Sequence, residues 1–330
     1  MTQPPTIEAT GLVKRFGDKT ALGGIDVSVP TGTVTAVLGP NGAGKTTAVR
    51  ILATLSEPDE GTATVAGFDV RTQPTEVRRR IGLAAQDATV DPLLTGHENL
   101  TMIGELHQVS RKGAKARATE LLAQFDLADV GTKVAGDFSG GMRRRLDLAA
   151  TLVARPQVLF LDEPTTGLDP RARNDLWEVL ETLLGEGVTI LLTTQYLEEA
   201  DRLADDILVV DHGIVIARGD ARSLKRQVGG DNIGITISDH GRLDEVAAIL
   251  SRVTGAEAVV DRPARTATAP TDDGVAGLAA VANALAQTGH EVEDLSLRQP
   301  TLDEVFLTLT GLAPDEAEPD PAHPLQKADR

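Results

Sequence analysis

The spacing of apolar positions changes several times along the chain and divides it. From Thr6 to about Asp69, short apolar runs predict β-segments around one loop-helix unit: Ile7 to Leu12, Ala21 to Val29 and Thr33 to Leu38, then a helix over Lys45 to Leu55, then Gly61 to Val65. A further short strand, Ile81 to Ala85, follows. Residues from about 89 to 154 carry apolar positions such as Leu121, Leu122 and Phe125 at helical spacing and read as a helical insert, closed by a helix over Met142 to Val153. From Gln157 to Ala217 strands alternate with helices: Val158 to Leu161, Arg171 to Leu184, Val188 to Thr193, Leu197 to Leu203, Asp206 to Asp211 and Ile214 to Arg218. That alternation predicts a mainly parallel sheet covered on both faces.

A polar helix over Ala221 to Val228 ends in Gly229-Gly230, which reads as a linker. Beyond it the order is strand (Asn232 to Ile237), helix (Leu243 to Val253), strand (Ala256 to Val260), strand (Thr266 to Ala269), helix (Gly274 to Gln287), strand (Glu291 to Leu297) and helix (Leu302 to Leu309), a small βαββαβ arrangement. The expected fold class is α/β, with a mainly parallel core sheet, an antiparallel β flank, a helical insert and a small α+β C-terminal domain. The expected domains are 1–228, with the helical subdomain over about 89–154, and 229–312. The tail 313–330, rich in Pro, Asp and Glu, is expected to be disordered.

Composition narrows the function classes. With 330 residues, 41% of them hydrophobic, and a mean hydropathy of -0.09, the chain reads as soluble and large enough for two cores. A formal charge of -17 disfavours nucleic acid and direct adhesion to an anionic bilayer, both of which repel an acidic surface. The absence of cysteine excludes disulfides, thiolate nucleophiles and Cys-ligated metals, and fits a reducing compartment. The start, Met1 to Thr10, lacks the cationic and apolar regions of a secretory signal, and no window approaches the roughly 18 apolar residues that span a bilayer. Any role at a membrane is therefore expected to come through a partner.

Gly39-Pro40-Asn41-Gly42-Ala43-Gly44-Lys45-Thr46 fits the G-x-x-x-x-G-K-[ST] phosphate loop of P-loop NTPases, between an apolar strand and a helix. Backbone N–H groups of such a loop turn inward on phosphate oxygens and the helix start adds positive potential. Lys45 is expected at the β- and γ-phosphates, Thr46 on Mg²⁺, and Thr47 beside them in the nucleotide site. Asp162 and Glu163 end the apolar strand from Val158, where an open α/β sheet presents its chemistry. Asp162 is placed to hold Mg²⁺ through water, and Glu163 to act as general base or to orient the attacking water. Two solvated carboxylates at a strand end are the plainer alternative. Ser139-Gly140-Gly141 opens the next helix upstream, and taken alone it reads first as an N-cap with a tight entry turn.

Taken together, these motifs resemble the ATP-binding subunits of ABC transporters, whose L-S-G-G-Q signature lies shortly before the acidic strand. The resemblance covers residues 6 to 220 with the motifs in the family's order. It implies ATP and Mg²⁺ as cofactors and a head-to-tail pair of copies, in which Ser139, Gly140 and Gly141 of one copy cap the γ-phosphate held by the other. It also implies a separate polytopic permease and a peripheral position on the cytoplasmic face of the membrane. Here Phe138 stands for the signature's Leu and Met142 for its Gln. The resemblance assigns Gln86 to Mg²⁺ sensing and coupling, Phe16 to adenine stacking, and Asp169 in Gly167-Leu168-Asp169 to contact with the second copy. A surface amide, a core Phe and a helix-capping Asp are the corresponding plain readings.

Gln195 occupies the position of the family's switch histidine. An amide can donate to a γ-phosphate but carries no proton or charge, so slow hydrolysis without a titration near neutral pH is expected. Gln195, together with the ending Arg298-Gln299-Pro300-Thr301-Leu302-Asp303-Glu304-Val305-Phe306-Leu307-Thr308-Leu309-Thr310-Gly311, resembles the daunorubicin-resistance subgroup, which serves drug and lipid exporters. Export of antibiotics or other hydrophobic drugs is the implied function. Export of lipid or polysaccharide, or a soluble non-transport ATPase, is the alternative. The helix over Leu302 to Leu309 packs on its own domain or docks a partner. The basic run Arg143 to Arg145 reads as a solvated helix face, or as a group that steers ATP or meets a partner.

Overall fold

The computed structural model of the chain describes residues 5–85, 89–228, 231–271, 273–288, 292–298, 301–302 and 305–306. Gln86, the linker glycines 229 and 230, the tail 313–330 and most of the helix expected over 302–309 lie outside them. The chain falls into two compact units, within residues 1–220 and 221–313.

In the first unit β1 (Ile7–Phe16) and β2 (Lys19–Val29) form a long antiparallel hairpin. Next come β3 (Val34–Leu38), α1 (Lys45–Leu52), β4 (Glu60–Val65), β5 (Phe68–Asp69), α2 (Pro74–Arg78) and β6 (Ile81–Ala84). Three helices follow: α3 (Gly96–Leu106), α4 (Arg111–Gln124) and α5 (Gly140–Thr151). The unit closes with β7 (Val158–Asp162), α6 (Pro170–Gly185), β8 (Thr189–Thr194), α7 (Leu197–Leu203), β9 (Asp206–Asp211) and β10 (Ile214–Gly219).

Strands β2-β1-β4-β5 make an antiparallel sheet, and β10-β9-β3-β8-β7-β6 make a six-stranded one that is parallel except for the β9–β10 pair. The two sheets differ in burial for a physical reason. Every residue of β3, β7 and β8 is buried, as a parallel strand covered on both faces requires. In β1 and β2 buried residues alternate with exposed ones, because one face meets the core and the other water. The core between them joins Ile7, Leu12, Leu22 and Ile25 of the hairpin to Ile51 of α1 and to Phe160, Leu191 and Leu208 of the parallel sheet. Truncating Phe160 to Ala there would cost about 3–5 kcal/mol.

The helix starts are chemically explicit. Thr95 and Glu98 form a reciprocal capping box on α3, Ser110 caps α4, and Asp169 caps α6 with Pro170 in its first turn. The hairpin runs past the expected end at Leu12, because the β1–β2 register slips between Ala9 and Leu12 and breaks the alternation a linear reading follows. Asp26 Oδ1 accepts the Gly11 N–H at this irregularity, at 2.7 Å. The two-residue β5 and the five-residue α2 were not expected and are too short for periodicity to show.

The second unit begins with α8 (Ala221–Val228), followed by β11 (Asp231–Ile237), α9 (Leu243–Thr254), β12 (Val259–Asp261), β13 (Thr266–Thr271), α10 (Gly274–Thr288) and β14 (Val292–Arg298). Its sheet has the order β12-β13-β11-β14, every pair antiparallel. Ile233, Ile235 and Ile237 point to one face and pack with Val246, Leu250, Val281 and Leu285 of the two long helices. The strand expected over Ala256 to Val260 is shorter and later than predicted, as β12.

Candidate active site

Three neighbouring parallel strands, β3, β8 and β7, end together and bring the chemistry into one place. Leu38 at the end of β3 lies beside Thr194 of β8, and Thr193 lies beside Asp162 of β7. The loop 39–44 leaves β3 at that edge. Glycine is required at its two ends: a Cβ on Gly39 would collide with the carbonyl oxygen of Val210, and one on Gly44 would fall 2.5 Å from that of Ala21. Gly44 also has φ +106, a conformation that side chains oppose. Gly44 starts α1 with no side-chain cap, so the first N–H groups of that helix have no partner from a capping side chain. A phosphate group fits such a start. Asn41 and Gly42 at the tip are exposed, and Ala43 is buried.

Lys45 is only 4% exposed. Its ammonium donates to the carbonyls of Gly39 at 2.7 Å and Pro40 at 3.1 Å, and pairs with the Glu163 carboxylate at 3.1 Å. Burial lowers its pKa from the ordinary lysine value, against the raising influence of Glu163 and then Asp162. Thr46 Oγ1 donates to Asp162 Oδ1 at 3.1 Å, and Thr193 Oγ1 donates to the same oxygen at 2.5 Å. A hydroxyl and a carboxylate converging at one point are the hard oxygen donors that Mg²⁺ prefers, so these residues fit the ion. Thr47 is half-buried in the first turn of α1.

Glu163 is a backbone outlier. Its φ of +49 puts a non-glycine residue in the left-handed region, at a cost of about 1–3 kcal/mol. Its N–H donates to the carbonyl and to the hydroxyl of Thr193, both at 3.1 Å, and its Oε2 accepts from Thr166 at 3.4 Å. Its Oε1 meets the Lys45 ammonium at 3.1 Å.

The structure thus joins Lys45, Thr46, Asp162 and Glu163 directly. It leaves Ser139–Gly141 apart: no described hydrogen bond links them to the phosphate loop. Ser139 Oγ accepts from the Met142 N–H at 3.2 Å and caps α5, while Ser139 and Gly140 remain exposed. Asp169 Oδ1 caps α6 through the Ala172 N–H at 2.9 Å. Phe16 ends β1 with 56% of its surface exposed and the Lys14 ammonium 5.5 Å from its ring centre, so it is not a core residue. Gln195 follows β8 directly and is half-buried. Gln86 lies outside the described residues.

Two groups of residues were missed in sequence. Thr193 binds both Asp162 and Glu163, and its one linear signal is a hydroxyl ending an apolar strand. The run 143–145 is not a solvated face, because each arginine donates to backbone carbonyls: Arg143 to Gly136 and Phe138, Arg145 to Phe125, and Arg144 to four separate residues.

A family model described as "ABC transporter" matches residues 22–166, spanning the phosphate loop, the signature and the acidic strand. The daunorubicin resistance ATP-binding protein DrrA2 of Streptomyces coeruleorubidus is 53% identical over 305 residues, 92% of this chain and 95% of that protein. The chain belongs to the ABC transporter ATP-binding proteins. It is an ATPase of the cassette type and binds nucleotide. The daunorubicin/doxorubicin resistance ATP-binding protein of Streptomyces peucetius is 48% identical over 96% of each chain. Among solved structures, an ATP-binding subunit of an ABC transporter aligns at a TM-score of 0.61 with 27% identity, over 67% of this chain and 92% of its own. Among the described residues, no helix is long and apolar enough to cross a membrane.

Proposed function

We propose that this ABC ATPase energises the export of antibiotics or other hydrophobic drugs. In this reading it acts as a head-to-tail pair of copies, docked on a separate polytopic permease at the cytoplasmic face of a membrane. Similarity to daunorubicin-resistance proteins across 92% of the chain, second unit included, is the observation that carries the cargo class.

The loop from Gly39 to Thr47 wraps the phosphates of ATP, and Phe16 stacks on the adenine. Thr46 and Asp162, with Gln86, would hold Mg²⁺, which when bound offsets the phosphate charge. Lys45 gives up its pairing with Glu163 to reach the β- and γ-phosphates, and this frees the Glu163 carboxylate. A water oxygen then bonds to the γ-phosphorus as the bond to the β,γ-bridging oxygen breaks. Glu163 takes the water's proton, and the Gln195 amide donates to the γ-phosphate. Ser139, Gly140 and Gly141 of the second copy cap that phosphate, with Asp169 at the contact between copies. ATP therefore favours the closed pair, and hydrolysis removes the contacts that hold it.

Replacing Glu163 with Gln should preserve ATP binding, lower turnover about 100-fold or more, and accumulate an ATP-dependent dimer in light scattering. A variant that stays monomeric at saturating ATP overturns the two-copy mechanism. For cargo, ATP-driven uptake of daunorubicin into inside-out vesicles holding the permease and this subunit is expected. Uptake of a fluorescent lipid in its place would reassign the substrate.

A further inference from the structure

The unusual turn at Glu163 is gripped from both sides, and one grip comes from a residue of α5 that no motif assigns to hydrolysis. On the amino side stands Thr193. On the carbonyl side, Arg144 Nη2 donates to the Glu163 oxygen at 3.3 Å. The same guanidinium donates to the carbonyl of Asp162 at 3.3 Å, to Pro164 at 2.9 Å through Nε, and to Ala85 at 2.8 Å through Nη1. Four carbonyls from the ends of β6 and β7 converge on one side chain. A planar fork with five N–H donors can serve such a set, whereas a lysine ammonium cannot reach carbonyls in these separate directions.

Arg144 is itself held. Its side chain is 14% exposed, and Asp147, one turn further along α5 and 1% exposed, lies 3.7 Å away. Asp147 Oδ1 also accepts the N–H of Thr89, at 2.7 Å, and its hydroxyl. The guanidinium is therefore pinned between a buried carboxylate and the acidic turn, little more than one helical turn after Ser139.

We infer that Arg144 is a positioning residue for hydrolysis, holding Glu163 in its left-handed turn and tying that turn to the helix that begins at Ser139. Besides Arg144, the Glu163 carbonyl accepts only the N–H of Thr166 among the described bonds, at 3.3 Å, a bond inside the same turn that does not anchor it to α5; without the Arg144 donors the turn loses its anchor to that helix. The turn then relaxes toward ordinary backbone angles, and the carboxylate swings away from its working position. No described hydrogen bond joins Arg144 to the phosphate loop at α1, so ATP affinity is expected to hold. The tie also passes the state of one copy's Glu163 to the surface that faces the other copy. The inference rests on the role given above to Glu163.

The test uses the full-length chain as parent, Arg144→Gln and Arg144→Lys, each with and without Glu163→Gln. It reads steady-state turnover and the binding of a fluorescent ATP analogue. Either Arg144 substitution should lower kcat about 10- to 100-fold, the scale of a small misplacement of a reacting group, and leave affinity within about threefold of the parent. On the Glu163→Gln background, the same substitutions should lower kcat by less than about twofold further, because both changes act through one group. Arg144→Lys keeps the charge and most of the volume and carries the same expectation if Arg144→Gln does not fold. Loss of affinity in step with kcat, an equal loss on both backgrounds, or full activity in Arg144→Lys overturns the inference. Parental turnover in Glu163→Gln overturns the role of Glu163 and the inference with it; a defective Glu163→Gln beside a fully active Arg144→Gln overturns the inference alone.

Discussion

Two helices in this protein begin with glycine-rich turns, and they are finished in opposite ways. Helix α1 starts at a left-handed Gly44 with no side-chain cap, packed so closely that a Cβ would meet Ala21, with its lysine buried among carbonyls. Helix α5 starts at Ser139, is capped by that serine, and has open space around Gly140. Both starts offer N–H groups and positive potential. The first is packed into its own chain, whereas the second is exposed and makes no described hydrogen bond to the phosphate loop. The proposal of a site shared between two copies rests on that difference.

The largest break in the comparison should come from Gly44→Ala. Its positive φ and the contact with Ala21 predict a loss of about 3 kcal/mol, read in chemical denaturation, together with loss of ATP binding. Parental stability would show that the loop can shift and that its shape is not imposed by packing. Next in size, Ser139→Asp separates two jobs of one residue. Aspartate caps as well as serine, so the melting temperature should hold, but its charge would face a γ-phosphate and lower turnover about 10- to 100-fold. Unchanged turnover would leave α5 with a capped start and no anion site.

Two buried carboxylates extend the contrast. Glu163 has an ammonium at 3.1 Å, while Glu199 in α7 is fully buried with the Trp177 indole N–H at 3.3 Å. Burial raises the Glu199 pKa from 4.5, only partly offset by hydrogen bonds from Thr194, Trp177 and Thr165. A raised acid binds more protons in the folded state, so its contribution is complete below 4.5 and is lost as pH rises through the folded value. Glu199→Gln should therefore raise the melting temperature at pH 8 by about 2–4 °C and by less at pH 5. A gain equal at both pH values would sink this account. The smallest effect belongs to Gly140→Ala, which meets no atom within 4 Å and should change stability by roughly 0.5 kcal/mol in favour of the fold.

Much of the candidate site was legible because it is local. The spacing from Gly39 to Thr46 dictates a phosphate loop wherever a strand precedes it and a helix follows. Asp162 and Glu163 announce themselves by ending an apolar run. The buried parallel strands were equally plain, since covering both faces leaves no alternation to misread. The slip in β1 near Gly11 was hidden because a bulge interrupts the very period that marks a strand. For Arg143 to Arg145 a solvated helix face stood beside a role in steering ATP or meeting a partner, because three consecutive arginines on a helix normally point to water, and neither reading places Arg144 at the turn after β7. Nothing nearby in sequence shows that strand ends at 85 and 162–164 supply its acceptors.

Residue order alone determined the loop chemistry, the capping serine, the acidic pair and the order of elements, because each depends on neighbours within about one turn or one strand. Tertiary structure decided which of these touch. It placed Thr193 between Asp162 and Glu163 through the β7–β8 register, closed Lys45 onto Glu163, and turned Glu163 into a strained conformation held by Thr193 and Arg144. It also left Ser139 and Gly140 exposed, with no described hydrogen bond to the phosphate loop. Hydrogen bonds of that kind join residues far apart in the chain, and their geometry exists only after the sheet has formed.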